Sequence, residues 1–310
     1  MMPYFDAAAI ARLVPPAVAV AAIEEALRGG LDPSAGVARA SVPLPAGELL
    51  LMPAASAGHA GVKLATIAPG NAALGLPRIN AVYVLFDGPT LRPVALLDGA
   101  ALTTLRTPAV SVAAVRPALG AGPLRLVVFG AGPQGAGHIA TLAAVAELAA
   151  VDVVVRSPGA VDREAMAAVV GRTPARLLRA GSAAVAEALR AADVVVCATT
   201  ARTPLFDSGV LPDRAVVVAV GSHEPDAREV DAALCRRATV VVEDAATALR
   251  ECGDVVLAAA EGALTADRLV PIGAAAGALG ERDGPVLFKG SGMAWQDLVV
   301  AEAVLARAAA

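Results

Sequence analysis

The stretch LRLVVFGAGPQG, residues 124–135, decides the fold. A valine-rich apolar run ends at Phe129, and three glycines follow with the spacing Gly130-x-Gly132-x-x-Gly135, with Pro133 and Gln134 between the last two. Gly130 permits a tight turn, Gly132 lets backbone approach a pyrophosphate, and Gly135 allows close packing of helix on strand. AGHIATLAAVAELAA (136–150) then reads as a helix, whose N-terminus would offer unpaired N–H groups and the positive end of its dipole to phosphate. Further runs follow: VDVVVRS (151–157), ARLLRA (175–180), ADVVVCATT (192–200), AVVVAVGS (215–222) and ATVVVED (238–244). Non-alternating apolar strands separated by Ala-rich helical stretches predict a parallel sheet covered on both faces, an α/β doubly wound dinucleotide-binding fold.

The end of the second strand bears on which dinucleotide. An acidic residue there usually takes the ribose 2′-hydroxyl of NAD. Here VDVVVRS ends in Arg156 and Ser157, and its only acid, Asp152, stands at the start. A guanidinium with a hydroxyl beside it suits a 2′-phosphate, so NADPH is expected, with NADH possible.

Working outward, residues 1–30 read as two short helices, followed by five strand-like runs: GVARASVPL (36–44), GELLLMPA (47–54), AGVKLATIAP (60–69), INAVYVLFD (79–87) and RPVALLDG (92–99). Gly- and Pro-containing turn signals separate them. ALTTLRTPAVSVAAV (101–115) reads as a helix, with Thr107-Pro108 marking a helix start near Arg106. AWQDLVVAEAVLARAAA (294–310) is a closing helix that returns to the first part of the chain. The expected division is therefore a discontinuous α/β domain, 1–117 with 293–310, around a nucleotide-binding domain, 118–292.

Composition narrows the function. A net charge of −4 leaves no electrostatic footprint for nucleic acid. Mean hydropathy is +0.65, yet no uninterrupted apolar run approaches the ~20 residues that cross a bilayer. The N-terminus lacks the pattern of a signal peptide, and Cys197, Cys235 and Cys252 are widely spaced without a CxxC, as expected of core residues in a reducing cytoplasm. No metal is expected. Lys and Arg number 25 together, but only Lys63 and Lys289 are lysine. Both lie in apolar strand-like runs, and a buried ammonium can shift its pKa and exchange a proton where arginine cannot.

Several segments, GVKLATIAPGN, INAVYVLFDGPTLRPVALLDGAALTTLRTPAVSVAA, VVFGAGPQGAGHI, VGSHEPDAREVD and VLFKGSGMAWQDL, resemble the ornithine cyclodeaminase/μ-crystallin family in the same order over nearly the whole chain. The resemblance implies a homodimer, a nicotinamide cofactor held in a cleft, and a substrate pocket built from an early-strand arginine, a lysine and a second arginine, matched here by Arg39, Lys63 and Arg106. It implies cofactor contacts from Arg106, Thr107, the loop Gly130, Gly132, Pro133, Gln134 and Gly135, then Arg156, Ser157, Thr199, Gly221, Lys289 and Gly290. Thr107 could equally cap a helix.

Two converging arginines form a charge-assisted clamp for a carboxylate, and Lys63 between apolar neighbours could deliver a proton. The resemblance also contains a departure. Cyclodeaminases carry an Asp two residues after the glycine where this chain has His223 following Gly221 and Ser222. GSHEPDARE is more similar to the ketimine reductase branch, with His223 a wall of the nicotinamide pocket or a proton relay. Asp297 reads as a helix or dimer contact. The resulting expectation is reduction of a cyclic ketimine carboxylate, Δ1-pyrroline-2-carboxylate or Δ1-piperideine-2-carboxylate, by a cytoplasmic enzyme. The alternatives are an ornithine or lysine cyclodeaminase, an alanine-dehydrogenase-like oxidoreductase, and a non-catalytic NADPH-dependent ligand-binding protein.

Overall fold

The computed structural model describes residues 2–280 and 282–309. It divides the chain into two units, Met1–Val110 with Met293–Ala310, and Ser111–Gly292.

In the first unit, strands β1 (Tyr4–Phe5), β2 (Ala40–Leu44), β3 (Gly47–Ala55), β4 (His59–Ile67), β5 (Ile79–Asp87) and β6 (Pro93–Asp98) make a six-stranded sheet ordered β1-β6-β5-β4-β3-β2. The five consecutive strands β2 to β6 are antiparallel, and β1 adds itself parallel to β6. Helices α1 (Ala7–Leu13) and α2 (Pro16–Arg28) lie between β1 and β2. Burial alternates along β4, so that Gly61, Lys63, Ala65 and Ile67 form its inward row. This is the period-two pattern of a sheet covered on one face. Met52 and Tyr83 stand directly opposite Lys63 on the flanking strands, and the closing helix (Ala294–Ala308) packs on β3, β4 and α2. An apolar row under an apolar helix thus contains one ammonium.

Helix α3 (Gly99–Val115) carries the chain into the second unit. Its start corrects the expectation of one at Thr107-Pro108. Asp98 Oδ1 accepts from the Ala100 and Ala101 N–H groups, both at 3.0 Å, and caps the helix eight residues before Arg106. Pro108 lies inside the helix, where it removes one backbone bond, and Thr103 and Thr104 donate their hydroxyls to carbonyls one turn back. Thr107 is therefore a mid-helix residue rather than a cap. Arg39 likewise stands just before β2, one residue outside the strand in which it was expected.

In the second unit, β7 (Leu124–Phe129), β8 (Leu148–Val155), β9 (Ala175–Arg179), β10 (Val194–Cys197), β11 (Val216–Ala219), β12 (Thr239–Val242), β13 (Leu269–Pro271) and β14 (Val286–Lys289) form one eight-stranded sheet. All of its pairings are parallel. The order β13-β12-β14-β11-β10-β7-β8-β9 runs outward in one direction from β7 to β9 and in the other from β10. The reversal lies between β7 and β10, where an open sheet of this kind leaves a crevice for a dinucleotide. Val127, Val195, Val217 and Leu287 are among the residues closing the core, each fully buried side chain contributing roughly 1.5–3 kcal/mol. Helix α4 (Pro133–Val145) ends before Leu148–Ala150, which belong to β8, not to the helix expected through Ala150. Alanine favours helix, and the pairing of β8 with β7 overrides that local preference.

The glycine loop joins β7 to α4 under tight constraint. Gly130 has φ +106° and a Cβ there would lie 2.5 Å from the Ala198 carbonyl oxygen, while a Cβ on Gly135 would lie 2.0 Å from the Gly130 carbonyl oxygen. Gly135→Ala should therefore force helix from strand, lowering stability by roughly 1–3 kcal/mol. A thermal melt unchanged from wild type would contradict that packing.

Candidate active site

Lys63, Arg106 and Asp297 meet in the first unit although they come from β4, α3 and the closing helix. The Lys63 Nζ donates to Asp297 Oδ2 at 2.9 Å, to Oδ1 at 3.1 Å and to Thr103 Oγ1 at 3.1 Å. Arg106 donates from Nε to Asp297 Oδ1 at 3.1 Å and from Nη1 to Gln296 Oε1 at 2.7 Å. Lys63 is 2% exposed, Arg106 5%, and Gln296 and Asp297 are wholly buried. Burial, then the Arg106 guanidinium, push the Lys63 pKa down from its usual range to about 8, Asp297 opposing the shift and Arg39 adding to it. The half-buried Arg39 therefore belongs to the same electrostatic cluster.

Lys63 and Arg106 share the one Asp297 carboxylate, and an anionic ligand would offer these buried cations a second counter-charge.

Asp297, read from sequence as a helix or dimer contact, is instead the counter-ion that binds two basic side chains. A signal for it was available. Positions 297, 300, 301 and 304 are all buried on the closing helix, so the acid occupies the apolar stripe, where a charge needs a partner. Gln296 and Thr103 were not singled out either. His59 pairs through Nδ1 with Glu302 at 3.2 Å.

The second unit brings together the other set. Gly132 is the N-cap of α4 and offers no side-chain cap, while Pro133 occupies the first turn, where no N–H is needed. The backbone donors of that turn and the missing Cβ atoms at Gly130 and Gly132 leave a cradle of the kind a pyrophosphate occupies, so these residues fit a dinucleotide. Arg156 and Ser157 follow β8 directly and are exposed. Asp152 is committed elsewhere, in a bidentate pair with Arg176 at 2.6 and 2.7 Å. No acid thus competes with Arg156 at the strand end. His138 is completely buried, its Nδ1–H donating to the Gln134 carbonyl at 2.7 Å and its Nε2 3.0 Å from the Ser111 hydroxyl. Burial holds its pKa down to about 4, which keeps it neutral.

Thr199 and Gly221 lie just beyond the ends of β10 and β11, and His223 is half-buried in the loop that Gly221 opens. Lys289 is the last residue of β14 and fully enclosed, its Nζ donating to the Ser222 carbonyl at 2.7 Å and lying 3.1 Å from Asp254 Oδ2. Its reach toward a nucleotide is therefore indirect, through the loop it supports. Gly290 follows it, buried. Among the described residues no single helix is long and apolar enough to cross a membrane.

Comparison with known proteins bears out the resemblance read from the motifs. The profile described as "Ornithine cyclodeaminase/mu-crystallin family" matches residues 16–310. The Delta(1)-pyrroline-2-carboxylate/Delta(1)-piperideine-2-carboxylate reductase of Azospirillum brasilense is 34% identical over 96% of this chain and 93% of its own. The ketimine reductase mu-crystallin of Mus musculus is 33% identical over 83% and 80%. Thermococcus litoralis Delta(1)-pyrroline-2-carboxylate reductase, solved with NADH and L-proline, superposes with a TM-score of 0.89 at 25% identity, covering 100% of this chain and 98% of that one.

Removing the Asp297 carboxylate strands two buried cations. Asp297→Ala should cost roughly 3–5 kcal/mol, measured by denaturant unfolding; a loss below about 1 kcal/mol, the scale of an exposed pair, would mean the cluster is solvated.

Proposed function

The chain belongs to the ornithine cyclodeaminase/mu-crystallin family, and on that premise we propose that it reduces a cyclic ketimine carboxylate with NAD(P)H: Δ1-pyrroline-2-carboxylate to proline, Δ1-piperideine-2-carboxylate to pipecolate, or both. The observation that carries the reading is the enclosed cluster in which Lys63 feels both Arg106 and Arg39 while bound to Asp297. A small planar anion with a basic ring nitrogen suits the basic side chains gathered there.

In this reading Arg39 and Arg106 bind the carboxylate, Arg106 already oriented by Asp297 and Gln296. Orientation of the ring supplies much of the rate, because reacting atoms must meet at about 3–3.5 Å. A bound reduced nicotinamide supplies the hydride to the imine carbon. The Lys63 ammonium gives the accompanying proton to the ring nitrogen, and with a pKa of about 8 it is mostly protonated at neutral pH and still able to release that proton. Asp297 keeps the ammonium form accessible, since burial and two guanidiniums alone would lower the pKa further.

The second unit would hold the nucleotide through Gly130, Gly132, Pro133, Gln134 and Gly135 on the phosphates, Arg156 and Ser157 on a 2′-phosphate, and Thr107, Thr199, Gly221 and Gly290 around the rest. NADPH is preferred in this assignment because the strand end carries a cation and no acid. His223 forms a wall of the nicotinamide pocket. The reading takes the working form as a homodimer with the first unit as substrate-binding and dimerisation domain. Three free, buried cysteines support a cytoplasmic, reducing compartment.

The test is oxidation of NADPH and of NADH with pyrroline-2-carboxylate, piperideine-2-carboxylate, and pyruvate with ammonia or methylamine. Turnover confined to the open-chain pairs, or ammonia release from ornithine without net cofactor consumption, would replace this reading. The wild-type kcat/KM should fall above pH about 8 as Lys63 loses its proton. Lys63→Met should lower kcat by roughly 10²–10⁴ while the affinity for NADPH holds; full turnover in that variant removes the proposed donor. Arg156→Glu should raise KM for NADPH and spare NADH, and an equal loss with both would cancel the cofactor preference.

A further inference from the structure

One carboxylate ties together the ends of two strands beside the switch point of the second unit. Glu229 is wholly buried. Its Oε1 accepts from the Thr199 N–H at 2.8 Å and the Thr199 hydroxyl at 2.7 Å, and its Oε2 accepts from the Gly221 N–H at 2.7 Å. Thr199 and Gly221 each come two residues after a strand end, on β10 and β11, which pair in register with Cys197 opposite Ala219. Backbone donors past the end of a ladder lose their strand partner, and water normally takes its place. Here a single side chain takes both.

The arrangement is braced from behind. Asp254 Oδ1 accepts from the N–H groups of Glu229 and Val230 at 2.7 and 2.9 Å. Lys289 lies between Asp254 Oδ2 and the Ser222 carbonyl, so the peptide leading into His223 is held by its oxygen just as Gly221 is held by its nitrogen. Burial alone would lower the Lys289 pKa, but Asp254 beside it, then Cys252 and Glu229, outweigh that and raise it to about 12. Gly221 is required by the same geometry, because a Cβ there would come within 2.1 Å of the Thr199 carbonyl oxygen and 2.4 Å of Glu229 Oε1. Burying two carboxylates and an ammonium costs several kcal/mol before their contacts repay it. Ending two strands needs nothing so costly.

The location accounts for the expense. The glycine loop and Arg156 follow β7 and β8, on one side of the switch point, and the tied loops follow β10 and β11, on the other. A dinucleotide lying across such a crevice places its adenosine half over the first pair and its nicotinamide half over the second. We propose that Glu229 is a positioning residue that fixes the Thr199 and Gly221–His223 loops as a rigid seat for the nicotinamide half, with Asp254 and Lys289 as its support. This rests on the reductase reading for the identity of the dinucleotide, though not for the rigidity of the loops.

Glu229→Gln is the incisive variant. An amide retains one acceptor but turns an N–H₂ toward the other backbone N–H, so one of the two loops must come loose. Binding of NADPH, followed by nicotinamide fluorescence, should weaken by about tenfold or more, the loss expected for a charge-assisted hydrogen bond. Binding of 2′,5′-ADP, which lacks the nicotinamide half, should be unchanged. Equal weakening of both ligands, or of neither, overturns the proposal. Should the variant fail to fold, amide hydrogen exchange on the ligand-free wild-type protein decides: the Thr199 and Gly221 N–H groups should exchange as slowly as those of β10 and β11, and fast exchange there rejects the seat. If wild-type protein binds NADPH but reduces no ketimine, the reductase reading fails while both measurements still judge the seat.

Discussion

Asp297 has to satisfy two cations from inside the protein, and much of the first unit follows from that requirement. The acid reaches them only because the closing helix lies across β3 and β4, and Lys63 meets it only because β4 turns every second side chain to that face. Arg106 joins from the first half of α3 because Asp98 starts that helix at Gly99. An ammonium, a guanidinium and a carboxylate without solvent are stable only as a set, since each removed partner leaves a charge that the interior cannot hydrate. The same enclosure is what brings an amine with an ordinary pKa of 10.5 down to about 8. Structural necessity and chemical reactivity here have one origin, a charge kept out of water.

The second unit solves a different problem with similar means. Parallel strands end together at one edge of the sheet, and the chain leaving each end carries polar backbone groups that no ladder serves. Glu243 takes up the donors after β14, accepting from the Ser291 and Gly292 N–H groups at 2.9 and 3.0 Å, as Glu229 and Asp254 do for the neighbouring loops. Acidic side chains rooted in the core thus define that edge. Against it, the glycine loop supplies the opposite kind of surface, backbone N–H groups with no side chain in the way.

How much of this was readable beforehand depended on the range of the interaction. Valine runs such as 194–196 and 216–218 and the glycine spacing each act within a few residues, and the strands expected there exist. The start of α3 was misplaced because two local signals compete: Pro108 imitates a helix start, whereas Asp98 provides the real cap. Leu148–Ala150 went to the wrong element because alanine favours helix locally while the deciding contact is a neighbouring strand. Asp297 was undervalued because its partners lie 234 and 191 residues away, and no window of sequence contains both. The acids Glu229, Asp254 and Glu243 escaped notice for the same reason. Arg156 and Ser157 were visible because a strand end is a local feature.

The scarcity of lysine has a final consequence. Both side-chain amines are interred, Lys63 at 2% exposure and Lys289 at none. While folded, the molecule shows solvent no lysine head at all. Acylating reagents would find the Lys289 amine only in molecules whose interior has opened, so the extent of its labelling becomes a direct gauge of breathing in that core.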